Sequence, residues 1–183
     1  REMFTLAGLD FDALTAAAAQ PGFEAVPMTG LTASGTLVNT TETMASRNVV
    51  GIVPGTTRPD EYVLYTAHWD HIGIRDVPEG EDGIYNGAVD NATGTAAILE
   101  IGEAFVANPP ERSVMILAVT AEESGLLGSA YYGENPIVPF DQTVGGLNID
   151  AILPTGRARD VVVVGHGASE LEDLLTEAAA EQD

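Results

Sequence analysis

Ser113-Val114-Met115-Ile116-Leu117-Ala118-Val119-Thr120, followed at once by Ala121-Glu122-Glu123, is the stretch that decides the fold. An almost continuous apolar run of this length reads as a strand buried on both faces, and such strands belong to parallel sheets with helices on either side. Upstream, Ala97, Ile98, Ile101 and Phe105 recur at helical spacing within 91–106, and Asn108-Pro109-Pro110 stops the run. Before that helix, Tyr62-Val63-Leu64-Tyr65-Thr66-Ala67 reads as another strand, and Val-, Ile- and Thr-rich segments at 36–41 and 47–53 read as two more, the latter closed by Pro54-Gly55. A short helix over 14–19, preceded by Asp10, leads the chain and ends at Gln20-Pro21-Gly22. Downstream, the pattern predicts a helix over 125–132 and strands over 144–149 and 160–164. A closing helix opens on the capping box Ser169-Glu170-Leu171-Glu172 and carries Leu171, Leu174, Leu175 and Ala178 on one face. The expected class is α/β: a largely parallel mixed sheet with helices on both faces, one domain over 1–183. Residues 1–55 form a lead-in and 56–183 the core.

The 183 residues carry 7 Lys+Arg against 28 Asp+Glu, a formal net charge of -21. All the basic residues are arginines scattered from Arg1 to Arg159, so no basic patch exists for nucleic acid, and anionic membrane surfaces are disfavoured. There is no cysteine, which removes disulfides, thiol catalysis and thiolate metal sites. Any metal must be held by His, Asp or Glu. No apolar run approaches the roughly 18 residues of a membrane span, and Arg1 to Leu6 do not form a signal peptide. With no Met at position 1, the chain is expected to be a piece of a longer precursor.

In open α/β sheets, ligands bind beyond the carboxyl ends of the strands. The strand ending at Ala67 runs into His68-Trp69-Asp70-His71, the one ending at Thr120 into Ala121-Glu122-Glu123, and the one over 144–149 into Asp150. Asp90 stands at the start of the long helix, in Gly87-Ala88-Val89-Asp90-Asn91. Taken singly, each has a plain structural reading: a solvated Glu pair, an Asp helix cap, a local His-to-Asp hydrogen bond, a turn residue. Together they are carboxylates converging on one sheet edge, where they would repel one another unless cations intervene. Imidazole and carboxylate donors without thiolate suit a catalytic zinc site, or another divalent first-row ion, and so many carboxylates favour two ions over one. Asp90 is placed to bridge them, as in two-metal sites with ions about 3.5 to 4 Å apart. Asp70, two residues after His68, can orient the far edge of that imidazole. The loops over 73–90 and 122–128 are the ones expected to carry function.

Four blocks carry a resemblance that spans residues 66 to 150: Thr66-Ala67-His68-Trp69-Asp70-His71-Ile72-Gly73, Asn86-Gly87-Ala88-Val89-Asp90-Asn91-Ala92-Thr93-Gly94, Ala121-Glu122-Glu123-Ser124-Gly125-Leu126-Leu127-Gly128-Ser129 and Asn148-Ile149-Asp150. The chain resembles the co-catalytic di-zinc aminopeptidases, the family of bacterial leucyl aminopeptidases, aminopeptidase Y, glutamate carboxypeptidase II and the non-enzymatic transferrin receptor. The resemblance implies a zinc-exopeptidase-like three-layer sandwich and two Zn²⁺ per complete domain. It makes His68 and Asp150 ligands of one zinc, Asp90 the bridge, Glu123 a ligand of the other, Glu122 the general base and Asp70 the partner of His68. The implied reaction is hydrolysis of a peptide bond at peptide or protein N-termini, and the implied location is extracytoplasmic, periplasmic or secreted.

The family's second zinc takes a further histidine from far downstream, and this chain ends at Asp183 before any such segment. His71 belongs to the first motif, and His166, in Gly165-His166-Gly167, reads as a loop residue. The sequence therefore predicts a C-terminally incomplete domain with partial metal occupancy, inactive alone and active in its precursor. A non-catalytic binding or dimerisation module of the same fold, and carboxypeptidase or glutaminyl cyclase chemistry on the same metals, are the alternatives.

Overall fold

The apolar run around Met115 forms a strand whose side chains alternate between two cores, one on each face of the sheet. A computed structural model describes residues 1–153, 156, 158 and 160–181, and the chain divides into two units, Arg1–Thr43 and Met44–Asp183.

In the first unit, α1 (Glu2–Leu6) precedes α2 (Phe11–Ala18). The Asp10 carboxylate accepts from the Ala13 amide at 3.0 Å and caps α2, as an aspartate just before a helix does, and Phe4 meets Phe11 edge to face at 5.0 Å. The sequence signalled α2 but not the five-residue α1, and the strand expected over 36–41 does not form. Leu37 and Val38 stand almost fully exposed.

The second unit is built on β1 (Val49–Val53), β2 (Arg58–His68), β5 (Arg112–Val119) and β6 (Thr143–Asn148), in the order β1-β5-β2-β6. Strand β2 runs parallel to both neighbours, with His68 opposite Val119 and Thr66 opposite Asn148, while β1 lies antiparallel on the outer side of β5. A two-stranded hairpin, β3 (Gly73–Ile74) and β4 (Ile84–Tyr85), interrupts the loop after β2. Because β1 pairs with β5, the boundary expected at 55 falls inside this unit.

Helix α3 (Ala92–Ala107) covers one face: Ile98 packs with Ala67, Val114 and Ile116, and Ile101 and Phe105 add to the same cluster. On the other face Met115, Leu117 and Val119 meet Tyr132 of α4 (Leu127–Glu134). Burying such side chains contributes about 1.5 to 3 kcal/mol each, which makes β5 the energetic centre of the unit. Gly128 lets α4 start against the end of β5, since a Cβ there would strike the Thr120 carbonyl. Helix α5 (Leu171–Ala180) closes the described chain, and Leu171 reaches Gly145 of β6.

The strand expected over 160–164 is absent. Val161, Val162 and Val164 are 72%, 94% and 95% exposed, so the β-branched composition found no ladder to join. The class read from the sequence holds: a mostly parallel mixed sheet with helices on both faces.

Candidate metal centre

Because β2, β5 and β6 are parallel, the segments leaving them emerge on one edge of the sheet, and α3 begins there. His68, the last residue of β2, is 2% exposed. Its Nδ1 lies 3.0 Å from the Asp70 carbonyl oxygen, which fixes the proton on Nδ1 and leaves Nε2 free to face outward. That nitrogen sits 2.9 Å from Asp90 Oδ1 and 3.4 Å from Asp150 Oδ1. Without a proton or a cation between them, three lone-pair donors would point at one another.

The second half of the centre comes from loops. Ala121 turns the chain with φ 54° immediately after β5, and the two glutamates follow. Glu123 Oε1 approaches His71 Nδ1 to 2.6 Å, and His71, Asp90 and Glu123 each offer a ligand atom within 4.8 Å of the others. The same limit holds for His68, Asp90 and Asp150. Asp90 is common to both groups.

Asp70 differs from expectation in how it acts. Its carboxylate is 3.8 Å from the His68 ring and instead accepts from the Glu122 amide at 3.1 Å, so Asp70 steers His68 through its carbonyl and Glu122 through its side chain. His71, which the sequence places in the first motif and leaves with His166 as a candidate for a further ligand, meets Glu123 across the edge. No local pattern signals this contact, because it depends on how two loops pack.

Asn91 also escaped the sequence reading. It is 1% exposed, donates to the Ile149 carbonyl at 2.9 Å, and accepts from the amides of Gly94 at 2.9 Å and Ala151 at 3.2 Å. One carboxamide thus caps α3 and ties down both neighbours of Asp150. The peptide between Asp90 and Asn91 is cis.

Electrostatics follow the crowding. Burial works to lower the His68 pKa, but the Asp70 carbonyl and the carboxylates of Asp150, Glu122 and Asp90 outweigh it, leaving the imidazole above its ordinary value. Burial raises the Glu122 carboxyl; His68 opposes this, and Glu123, Asp150 and Asp70 add to it. His166 stands elsewhere, beside Glu172 at 3.4 Å and largely exposed. A cavity of 520 Å³ between the 44–50 segment and α4, lined by Met44, Asn48, Val50, Tyr131 and Tyr132 among others, contains none of these groups. The metal-site candidates form an open shelf, with the Asp90 and Asp150 side chains about half exposed.

The donor chemistry fits zinc: each position combines an imidazole with carboxylates, and the buried His71 Nδ1 has no hydrogen-bond partner despite its close approach to Glu123. Fold and site together define an α/β protein with a carboxylate and imidazole metal centre at the carboxyl edge of its sheet. The chain belongs to peptidase family M28, whose pattern matches residues 48–183. Aminopeptidase NAALADL1 of Mus musculus is 34% identical over 119 residues, 61% of this chain and 14% of that protein. The zinc aminopeptidase BSAP from Bacillus subtilis superposes with TM-score 0.45 at 29% identity, over 57% of this chain and 24% of that one. A glutaminyl cyclase from an Acidobacteriales bacterium superposes with TM-score 0.52 at 21% identity, over 74% and 47%, a likeness of fold. The chain thus spans 14% of the length of its curated mouse relative.

Proposed function

We propose that this chain carries the catalytic centre of a zinc-dependent exopeptidase that removes N-terminal residues from peptides outside the cytoplasm, with two metal positions sharing Asp90. The observation that carries the reading is that Asp90 lies within ligand reach of both the His68–Asp150 pair and the His71–Glu123 pair. His68, Asp150 and Asp90 would hold one ion, and Asp90 and Glu123 would contribute to the other. Zinc held there supplies Lewis acidity, lowering the pKa of water toward neutrality and polarising a carbonyl.

The chain's own residues do the rest. Glu122 is the proton carrier: its carboxyl stands beside the metal ligands without belonging to either ligand group, and its raised pKa brings proton exchange closer to neutral pH than for an ordinary glutamate. It takes a proton from water and returns it to the departing amine. The Asp70 carboxylate fixes the backbone of Glu122, so that one residue orients both the buried imidazole and the base. Excess carboxylate around the shelf attracts a cationic substrate amine.

The test is hydrolysis of aminoacyl anilides by the natural protein and its Glu122→Gln variant, with zinc measured in both. The expected result is unchanged zinc and a rate about 10² to 10⁴ lower. Turnover within a few-fold of the parent removes Glu122 from the base role, and cyclisation of N-terminal glutamine without anilide hydrolysis removes the peptidase reading.

A further inference from the structure

We propose that Asn48 is a positioning residue for the two glutamates at the sheet edge: its carboxamide closes the neck of the loop over 121–127 and so fixes where Glu122 and Glu123 stand. This rests on the peptidase reading above and deepens it, by naming a side chain that acts on the base from outside the site.

Asn48 immediately precedes β1, and because β1 runs antiparallel to β5, the residue before the one stands beside the residues after the other. There its Oδ1 accepts from the Thr120 amide at 3.0 Å, and its Nδ2 donates to the Gly128 carbonyl at 2.7 Å. Thr120 and Gly128 are the two ends of the loop, and the Gly128 amide donates back to the Thr120 carbonyl at 2.9 Å. One side chain thus bonds both ends of the turn that carries the base and a candidate metal ligand. A Cβ on Gly128 would come within 2.6 Å of the Asn48 Oδ1, so a side chain there would displace the clamp.

The loop needs such a tie. Ala121 and Leu126 flank the glutamates with φ of 54° and 61°, and residues other than glycine keep this left-handed conformation only where their surroundings impose it. Asp70 holds the loop at the Glu122 amide, 3.1 Å away, and Asn48 holds it at its base. The segment bearing Asn48 is anchored to the same edge: Trp69 Nε1 donates to the Arg47 carbonyl at 3.1 Å, and the Ser46 and Thr120 hydroxyls meet at 2.6 Å. Asn48 also lines the 520 Å³ cavity beside α4, so water can replace the partners lost in Asn48→Ala, and that variant should fold with a loosened neck.

The test compares the natural protein with Asn48→Ala by amide hydrogen exchange without metal and by steady-state hydrolysis of aminoacyl anilides at saturating zinc. The expected result is faster exchange at Gly125, Leu126, Leu127 and Gly128, with β5 and α3 protected as in the parent. With it, kcat should fall by about 10 to 10²-fold at unchanged KM, the scale of loss that a misplacement of about 1 Å produces. A parent-like kcat overturns the inference, and so does exchange that rises equally through the sheet, which marks a purely structural role. If the natural protein hydrolyses no anilide, the peptidase reading fails, and exchange confined to the loop still decides whether Asn48 fixes the glutamates. Should Asn48→Ala not fold, Asn48→Asp keeps the acceptor for Thr120 and loses the donor to Gly128. The same loop-confined exchange and loss of kcat are expected of it, and parent-like values overturn the inference.

Discussion

At the scale of single residues, the centre depends on side chains that touch no metal. Asn91 makes three hydrogen bonds from a fully buried carboxamide, and they join the start of α3 to the residues on either side of Asp150. Asp90 and Asp150 converge on His68 only if those two segments hold a fixed separation. Asn91→Ala leaves the Ile149 carbonyl and two amides without partners, and a buried polar group left unsatisfied costs about 1 to 3 kcal/mol. We expect a stability loss of that size in urea unfolding, together with weaker zinc binding in chelator competition. A loss within about 0.5 kcal/mol would show that water replaces the carboxamide and that Asn91 does not set the distance. Asn91→Asp keeps the acceptor for Gly94 and Ala151 but deprives the Ile149 carbonyl of its donor and buries another charge, so it should also weaken binding.

At the scale of elements, α5 shows how a cap responds to pH. The Glu172 carboxylate accepts from the amides of Gly167 at 2.7 Å and Ala168 at 3.1 Å, and more weakly from Ser169, while the Ser169 hydroxyl accepts from Leu171 at 3.1 Å. This is the capping box read from the sequence, extended backward over two further amides. Those amides hold the Glu172 carboxyl below its ordinary value, the Gly167 amide most strongly. A carboxylate whose folded pKa is depressed contributes stability above its unfolded pKa and loses it as pH falls through the folded value. The Gly167 amide resonance should therefore titrate with a midpoint below that of an ordinary glutamate, with α5 fraying as it does, and Glu172→Gln should fray the same turn at neutral pH. A midpoint at or above the ordinary glutamate value would separate the cap from the carboxylate. The same scale marks what the sequence could show. Strands β2 and β5 and helix α3 were legible because their apolar periodicity records burial on the sheet's faces. Segments 36–41 and 160–164 have strand composition but no ladder, and pairing is a non-local property that composition does not encode. The first-motif histidine His68, with Asp90, Glu122, Glu123 and Asp150, was legible from position after strands or before a helix. The meeting of His71 with Glu123, the Asn91 tie and the use of the Asp70 carbonyl were not, since each depends on which loop faces which.

At the scale of the whole chain, a net charge of -21 stores self-repulsion, part of it concentrated where Asp90, Asp150, Glu122 and Glu123 gather at one sheet edge. Two kinds of cation should relieve it differently. Sodium chloride screens all exposed charges, with a Debye length near 10 Å at 0.1 M, so the unfolding temperature should rise gradually with salt and without saturation at any stoichiometry. Zinc acts by mass action on the folded state alone, stabilising by about 2.7 kcal/mol at a hundredfold excess over its dissociation constant, so its effect should appear at concentrations that leave ionic strength unchanged. Asp90→Asn separates the two, because Asp90 belongs to both ligand groups. That variant should keep the salt response of the parent and lose most of the zinc response. Magnesium, which prefers oxygen donors and keeps its water, should give little shift at equal concentration, since each position offers an imidazole. Thermal unfolding of parent and variant across the three salts decides the matter. If magnesium matches zinc, neutralisation of a crowded edge accounts for the stabilisation, and the imidazoles confer no selectivity.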